Sequence, residues 1–143
     1  MLLIRQLCAA LLLALVGVSL AVAATLSVQI SGLSSDRGLV RCGLFSGPDG
    51  WREASQAMRM VNAKIEHGKA VCRFDHAEPG TYGVAVFHAE QGEDHISYGF
   101  MGKPRQGVGF SNNPSIMFGP PDFDAASFTL GQNDLNLAIE MKY

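Results

Sequence analysis

The chain has 143 residues, of which 11 are Lys or Arg and 13 are Asp or Glu, and its net charge is −2 at neutral pH. A charge so close to zero, with no basic run, gives no indication of nucleic-acid binding or of attachment to a membrane surface. Without an export signal about 120 residues remain, which is enough for one domain with a real core but not for two.

Residues 1–23 are predicted to be a secretory signal peptide. Arg5 is the only charge before a long apolar run, and Ala21-Val22-Ala23 supplies small residues at the two positions that a signal peptidase reads. We predict cleavage after Ala23, which leaves one domain at 24–143 in the periplasm or outside the cell, not inserted in a membrane. A transmembrane anchor is the alternative, because the apolar run approaches the length that spans a bilayer.

Alternation of apolar and polar residues dominates the mature sequence and predicts strands with one face on a core and the other in water. The sequence predicts seven strands, at 25–31, 38–45, 58–66, 69–75, 80–88, 126–130 and 134–143. In the fifth strand Gly83, Ala85 and Phe87 make the second face small or apolar as well, so this strand is predicted to be central. The pattern indicates an all-β fold, an antiparallel β-sandwich of the immunoglobulin or prealbumin type. A small β-barrel is the alternative.

Two cysteines remain after cleavage, Cys42 and Cys72. An even number of cysteines in an oxidising compartment favours a disulfide. Each cysteine alternates with apolar residues, in LVRCGLF and in KAVCRF, so both thiols are predicted to point into the core. We predict one structural disulfide. A pair of free buried thiols or a redox couple is the alternative, although the sequence has no Cys-x-x-Cys motif.

Four stretches of the mature sequence occur in a characteristic order, namely GLVRCGLF, PGTYGVAVFH, GFMGKPRQGVGFSNNP and PDFDAASF. In these stretches the chain resembles the bacterial exported family called domain of unknown function 2141, over residues 25–143. The most specific part is a strand that begins Pro-Gly-Thr-Tyr and ends Phe-His, followed by Gly-x-Pro and Gly-Phe-Ser-Asn-Asn. The resemblance implies an exported β-sandwich with no established activity.

The resemblance breaks down in the segment HAEQGEDHISYGF. Members of the family tend to carry an Asp-x-Asn-x-Asn loop here, and this alternation of oxygen ligands is similar to a calcium-binding loop. In this chain Ala89 stands where the first Asp would be, and Gln91 replaces an Asn. The regular spacing of ligands is therefore lost.

The same segment still holds side chains that bind metals. Glu90, Glu93 and Asp94 could hold calcium, and His88 and His95 add imidazoles, which suit zinc or copper. We therefore take these five residues as a candidate site for calcium or a transition metal. The alternative for His88, which is predicted to face the core at the end of its strand, is that its ring nitrogens bond loop carbonyls and pin the loop to the sheet.

Residues 89–124 form a connection far longer than usual, and such connections are functional or disordered. Its many apolar residues, among them Phe100, Met117 and Phe118, predict that it packs on the sandwich. We predict a ligand-binding surface here, formed by Lys103, Arg105, Phe110, Ser111, Asn112 and Asn113. The cations would form a rim and Phe110 a platform, while the hydroxyl and amides would bind a polar ligand such as a glycan. The alternative is that the Ser and Asn side chains satisfy the loop's own backbone.

Sequence motifs give no support for an enzyme, since Gly-x-Ser-x-Gly, His-Glu-x-x-His and phosphate-binding loops are missing. The sequence favours an exported, non-catalytic binding or accessory module with no cofactor, whose partner is an unknown protein or a polar ligand. One alternative is a metal-binding protein that uses the segment His88–His95. Another is a structural envelope protein that pairs through a strand edge.

Overall fold

The computed structural model describes residues 23–143, together with 17, 18 and 20. The predicted signal peptide therefore lies almost wholly outside the described residues. Among the residues that are described, no helix is long and apolar enough to cross a membrane.

Within this part of the chain the backbone forms eight strands and one short α-helix. The strands are β1 Ala24–Ser31, β2 Leu39–Phe45, β3 Arg59–Lys64, β4 Ala70–Ala77, β5 Gly80–Ala89, β6 Val108–Phe110, β7 Phe128–Leu130 and β8 Leu135–Glu140. The helix α1 spans Phe123–Ala126, and short 3-10 helices span Ala54–Gln56 and Phe100–Gly102. All seven predicted strands are present to within a few residues, and β6 is an additional strand inside the predicted long loop.

The strands form two sheets that face each other, so the predicted β-sandwich is confirmed and the barrel is not. One sheet has the order β4-β1-β8, and the other has the order β3-β2-β5-β6, with β7 also paired to β5. Every pair is antiparallel except β1–β8, which is parallel and runs from Leu26 opposite Leu135 to Ser31 opposite Glu140. The first and last strands thus lie side by side.

The main core lies between the two sheets and consists of the apolar faces predicted from the alternation. Leu26 and Val28 of β1 are fully buried, as are Val84 and Val86 of β5. A disulfide between Cys42 of β2 and Cys72 of β4 crosses this core and joins the two sheets. The prediction of a core disulfide is therefore confirmed.

A second, smaller core covers the outer face of the five-stranded sheet. Ala85 and Phe87 of β5 point to this face and are buried under Trp51, Phe110 and Phe123. The predicted central position of β5 is confirmed, because the strand is covered on both sides. The residues that cover it come from the β2–β3 connection and from the long segment after β5, and this second layer carries the candidate site.

Candidate binding groove

Ser111 ties the long segment to the five-stranded sheet. Its side chain is fully buried, and its hydroxyl accepts a hydrogen bond of 2.9 Å from the backbone N–H of Val84. The same hydroxyl donates to the carbonyl of Ala126, at the end of α1. Ser111 therefore faces the protein's own backbone rather than a ligand, which corrects the role that we predicted for it.

The two asparagines that follow are also bonded to the chain itself. Asn112 donates from Nδ2 to the carbonyl of Ser127 at 2.7 Å. Asn113 donates from Nδ2 to the carbonyl of Ala138 at 2.9 Å, and its Oδ1 accepts the N–H of Glu140 at 2.8 Å. Both asparagines have positive φ, which Asn tolerates better than most residues. These contacts match the alternative in which the amides satisfy backbone groups.

Asn113→Ala is expected to lower the free energy of unfolding by about 1–2 kcal/mol, because two side-chain hydrogen bonds to the edge strand β8 disappear and because alanine tolerates the positive φ at this position less well than asparagine. Urea unfolding followed by circular dichroism measures the change. Asn133→Ala is the matched control, since Asn133 is exposed and makes no side-chain hydrogen bond within the described contacts. Equal losses of stability in the two variants would show that the hydrogen bonds from Asn113 to β8 do not stabilise the fold.

A groove of about 670 Å³ opens on the surface beside β6. Buried Val108 and Phe110 of β6 lie on its floor, and Ile96 and Ile116 flank them. The lining runs through two loops, at 96–106 and 116–120, and also includes Arg52, Lys142 and Tyr143. Of the six predicted binding residues, Lys103 and Phe110 line the groove, and Arg105 lies next to it in the first loop.

The first loop is a small hairpin. Tyr98 pairs with Pro104, the N–H of Gly99 donates to the carbonyl of Lys103 at 2.8 Å, and the N–H of Arg105 donates to the carbonyl of Ser97 at 2.9 Å. The turn at its tip carries Phe100 and Met101, and Met101 has a positive φ of 57°. The backbone hydrogen bonds of the hairpin therefore hold Phe100 and Met101 at its tip.

The tips of both loops expose large apolar side chains, against the prediction that the segment buries them. Phe100 is 90% exposed, Met101 89%, Met117 80% and Phe118 99%. Met101, Met117 and Phe118 line the groove, and Phe100 is adjacent in the chain. Apolar composition predicts burial on average, but the segment packs on the sheet through Val108 and Phe110 and the partly buried Ile96 and Ile116, while the tips extend into water.

The charged side chains of the lining are all cationic. Arg52, Lys103 and Lys142 are cationic, and no Asp or Glu is among the lining residues. Lys142 is paired with Glu140 at 3.1 Å, whereas the described residues place no carboxylate within 4.0 Å of the charged atoms of Arg52 or Lys103. The groove is thus apolar along its floor and cationic at its edge.

Residues 28–138 match the sequence model of a family described as uncharacterized proteins conserved in bacteria, DUF2141. The chain belongs to the DUF2141 family. The resemblance predicted from the four sequence stretches is therefore confirmed. No curated protein matches the chain.

Two solved structures of a pilus-presented adhesin, Cpa, are distantly similar to this DUF2141 chain. One crystal form is 16% identical, covers 84% of this chain and 27% of the adhesin chain, and has a TM-score of 0.25. A cysteine-to-alanine mutant of the adhesin is 15% identical with the same coverage and a TM-score of 0.23. The DUF2141 chain thus spans about a quarter of the length of the adhesin, and nothing about function follows from so distant a likeness.

His88 of the DUF2141 chain has both ring nitrogens engaged. Its Nε2 lies 2.8 Å from the carbonyl of Arg37, and its Nδ1 lies 2.8 Å from the hydroxyl of Tyr143. A carbonyl can only accept, so Nε2 carries a proton, and in the neutral imidazole Nδ1 then accepts from the hydroxyl. That hydroxyl also accepts the N–H of Ser34 at 3.1 Å. The buried imidazole thus has a structural role, as the alternative proposed, but it fastens Tyr143 and the turn before β2 to β5 rather than the long loop.

The other predicted metal ligands of the DUF2141 chain have separate surroundings. Glu93 accepts the backbone N–H of Gln91 at 2.8 Å through Oε1, and its Oε2 has no hydrogen-bond partner among the described residues. Glu90 is bonded to the hydroxyl of Ser35 and paired with Arg37, and these contacts lower the pKa of its carboxyl. Asp94 is bonded to the neighbouring His95 at 2.5 Å, which lowers the pKa of Asp94. Among the described residues no three His, Cys, Asp or Glu side chains are grouped so that they could hold a metal ion. The structure does not bring the five predicted ligands together.

Proposed function

We propose that this DUF2141 protein is an exported, non-catalytic binding module and that its contact surface is the groove between the loops 96–106 and 116–120. The observation that carries this proposal is the exposure of Phe100, Met101, Met117 and Phe118, each at least 80% exposed, beside an apolar groove. Soluble proteins rarely expose large apolar side chains together unless the surface binds something.

The composition of the groove supports binding rather than catalysis. The described lining combines apolar side chains, three cations, one amide and two phenols, and includes no Asp, Glu, His, Cys, Ser or Thr. These missing side chains are most of the usual nucleophiles and proton-transfer groups of enzymes, of which the lining keeps only Lys and Tyr. The structural disulfide supports export, because such bonds persist in oxidising compartments.

Loss of the apolar tip at 117–118 is expected to weaken binding to the groove by at least a factor of about ten. The probe is N-phenyl-1-naphthylamine, an uncharged apolar dye whose fluorescence rises on transfer out of water. The change is Met117→Ser with Phe118→Ser, and the measured quantity is the Kd from a fluorescence titration. Burying one side chain of this size is worth about 1.5–3 kcal/mol, and about 1.4 kcal/mol changes Kd tenfold.

Val71→Ser is the matched control for this titration. Val71 is 48% exposed on β4, in the opposite sheet, so its replacement removes an exposed apolar side chain away from the groove. The control is expected to bind the dye as the wild type does. Absence of dye binding by the wild type, or unchanged Kd in the double variant, would contradict the proposed contact surface.

A further inference from the structure

The charge of the groove indicates the chemistry of what it binds. The described lining contains Arg52, Lys103 and Lys142 and no carboxylate, although the chain as a whole has more Asp and Glu than Lys and Arg. An apolar surface edged by one sign of charge complements a molecule with an apolar part and a group of the opposite sign.

Of the three cations of the lining, only Arg52 has a buried donor without a partner among the described residues. Its Nε is buried and has no hydrogen-bond partner among the described residues. Its backbone has a φ of 72°, a strained conformation for a residue other than glycine, and the preceding residue, Trp51, is buried in the outer core. A buried donor without an acceptor is unfavourable, and an anion bound beside the guanidinium would relieve this cost.

The groove does not suit the glycan that the sequence suggested. The amides of Asn112 and Asn113 and the hydroxyl of Ser111 are bonded to backbone groups, so they do not offer free polar contacts to a sugar. The floor is formed by Val108 and Phe110, which favour an apolar ligand. A volume of about 670 Å³ lies within the range of small-molecule sites, about 300–1,000 Å³.

We propose that the groove binds a single-chain anionic amphiphile, with its hydrocarbon chain on the apolar floor and its anionic head beside Arg52 and Lys103. This inference rests on the proposed function and gives it a ligand class. A free fatty acid and an anionic lipid present the same chemistry. The lining continues from the tips to the buried side chains of Val108 and Phe110, so a single molecule can place its chain against them, whereas a flat membrane surface would engage only the tips.

Competition against the apolar dye tests the inference. The three competing ligands each have a ten-carbon chain: decanoate and decyltrimethylammonium, below their micellar concentrations, and decanol, below its solubility limit. Decanoate is expected to displace the dye with a Kd about tenfold lower than decyltrimethylammonium, because the two differ in the sign of the head group. Decanol, which has no charge, is expected to lie between them. Calorimetric titration of decanoate alone gives its Kd independently of the dye.

Two substitutions locate the head group. Arg52→Gln and Lys103→Gln are each expected to weaken decanoate binding about three- to tenfold and to weaken decanol binding less, because decanol carries no charge. Lys103 is exposed, so Lys103→Gln tests the head-group contact even if Arg52→Gln disturbs folding. Lys64→Gln, an exposed cation on β3 outside the groove lining, is the control and is expected to change neither Kd.

The outcomes separate this inference from the proposed function. If the dye binds and depends on the tip at 117–118, but decanoate binds no more tightly than decyltrimethylammonium, the ligand class is wrong and the contact surface stands. If neither the dye nor decanoate binds, both proposals are wrong. Sedimentation with vesicles of anionic phospholipid, in the absence of decanoate binding, would overturn the inference in favour of a membrane surface.

Discussion

Replacement of both cysteines, Cys42→Ala with Cys72→Ala, is expected to lower the free energy of unfolding by about 3–4 kcal/mol. The bond closes a loop with a sequence separation of 30 residues and joins β2 of one sheet to β4 of the other. Without it the unfolded chain gains conformational freedom, while the core keeps most of its apolar contacts. A domain of this size has a total stability of about 5–15 kcal/mol, so the loss is a large fraction.

Urea unfolding measures this loss, and wild-type protein with the disulfide reduced is the matched control. The reduced protein keeps both sulfur atoms in the core, so its difference from the oxidised protein isolates the cross-link from the packing of the side chains. We expect the reduced wild type and the double alanine variant to unfold within about 1–2 kcal/mol of each other. Identical stability of the oxidised and reduced wild type would show that the cross-link contributes nothing.

The strands were predictable from the sequence because alternation is a local signal. Leu26, Val28 and Ile30 alternate with polar residues, and such a pattern determines which face is buried wherever the sheet lies. The partner of a strand is not a local property. The parallel pairing of β1 with β8 brings together residues more than a hundred positions apart, and neither alternating pattern specifies it.

The missed strand β6 has only three residues and contains Gly109. A Cβ at this position would lie 2.6 Å from Cγ2 of Ile139 in β8, so glycine is needed for a contact between distant parts of the chain. In the sequence the same glycine indicates a flexible loop. The long segment packs on the sheet as expected except at its two exposed tips, but its strand could not be recognised from three residues.

The candidate site was predicted only in part, for a chemical reason. The amides of Asn112 and Asn113 can bind a ligand or the protein's own backbone, and the sequence does not distinguish the two. Arg52 and Lys142 reach the groove from the β2–β3 connection and the chain terminus, so no spacing within 89–124 could indicate them. The sequence did carry one indication of the exposed tips, the apolar pairs Phe100-Met101 and Met117-Phe118 beside glycines. Apolar composition, however, predicts burial on average.

Trp51 is expected to be the side chain on which the outer layer depends most. Its indole N–H donates to the carbonyl of Pro121 at 2.9 Å, and its ring packs edge-on against Phe45 and Phe123 at centroid distances of 5.1 and 5.5 Å. Gly83 of β5 lies against the ring, where a Cβ would come within 3.0 Å of it. The indole thus fastens the β2–β3 connection to the end of the long segment, over the central strand.

Trp51→Ala is expected to lower the free energy of unfolding by about 3–5 kcal/mol, the usual cost of deleting a large buried aromatic side chain. Trp51→Phe keeps most of the packing and loses the hydrogen bond to Pro121, so about 1–2 kcal/mol is expected. Urea unfolding followed by circular dichroism measures both. Because Arg52 and Pro120 of the groove lining are chain neighbours of the two bonded residues, the apolar dye should also bind Trp51→Ala more weakly than Trp51→Phe. A loss below about 1 kcal/mol in Trp51→Ala would mean that the outer layer is held by other contacts, such as the hydroxyl of Ser111.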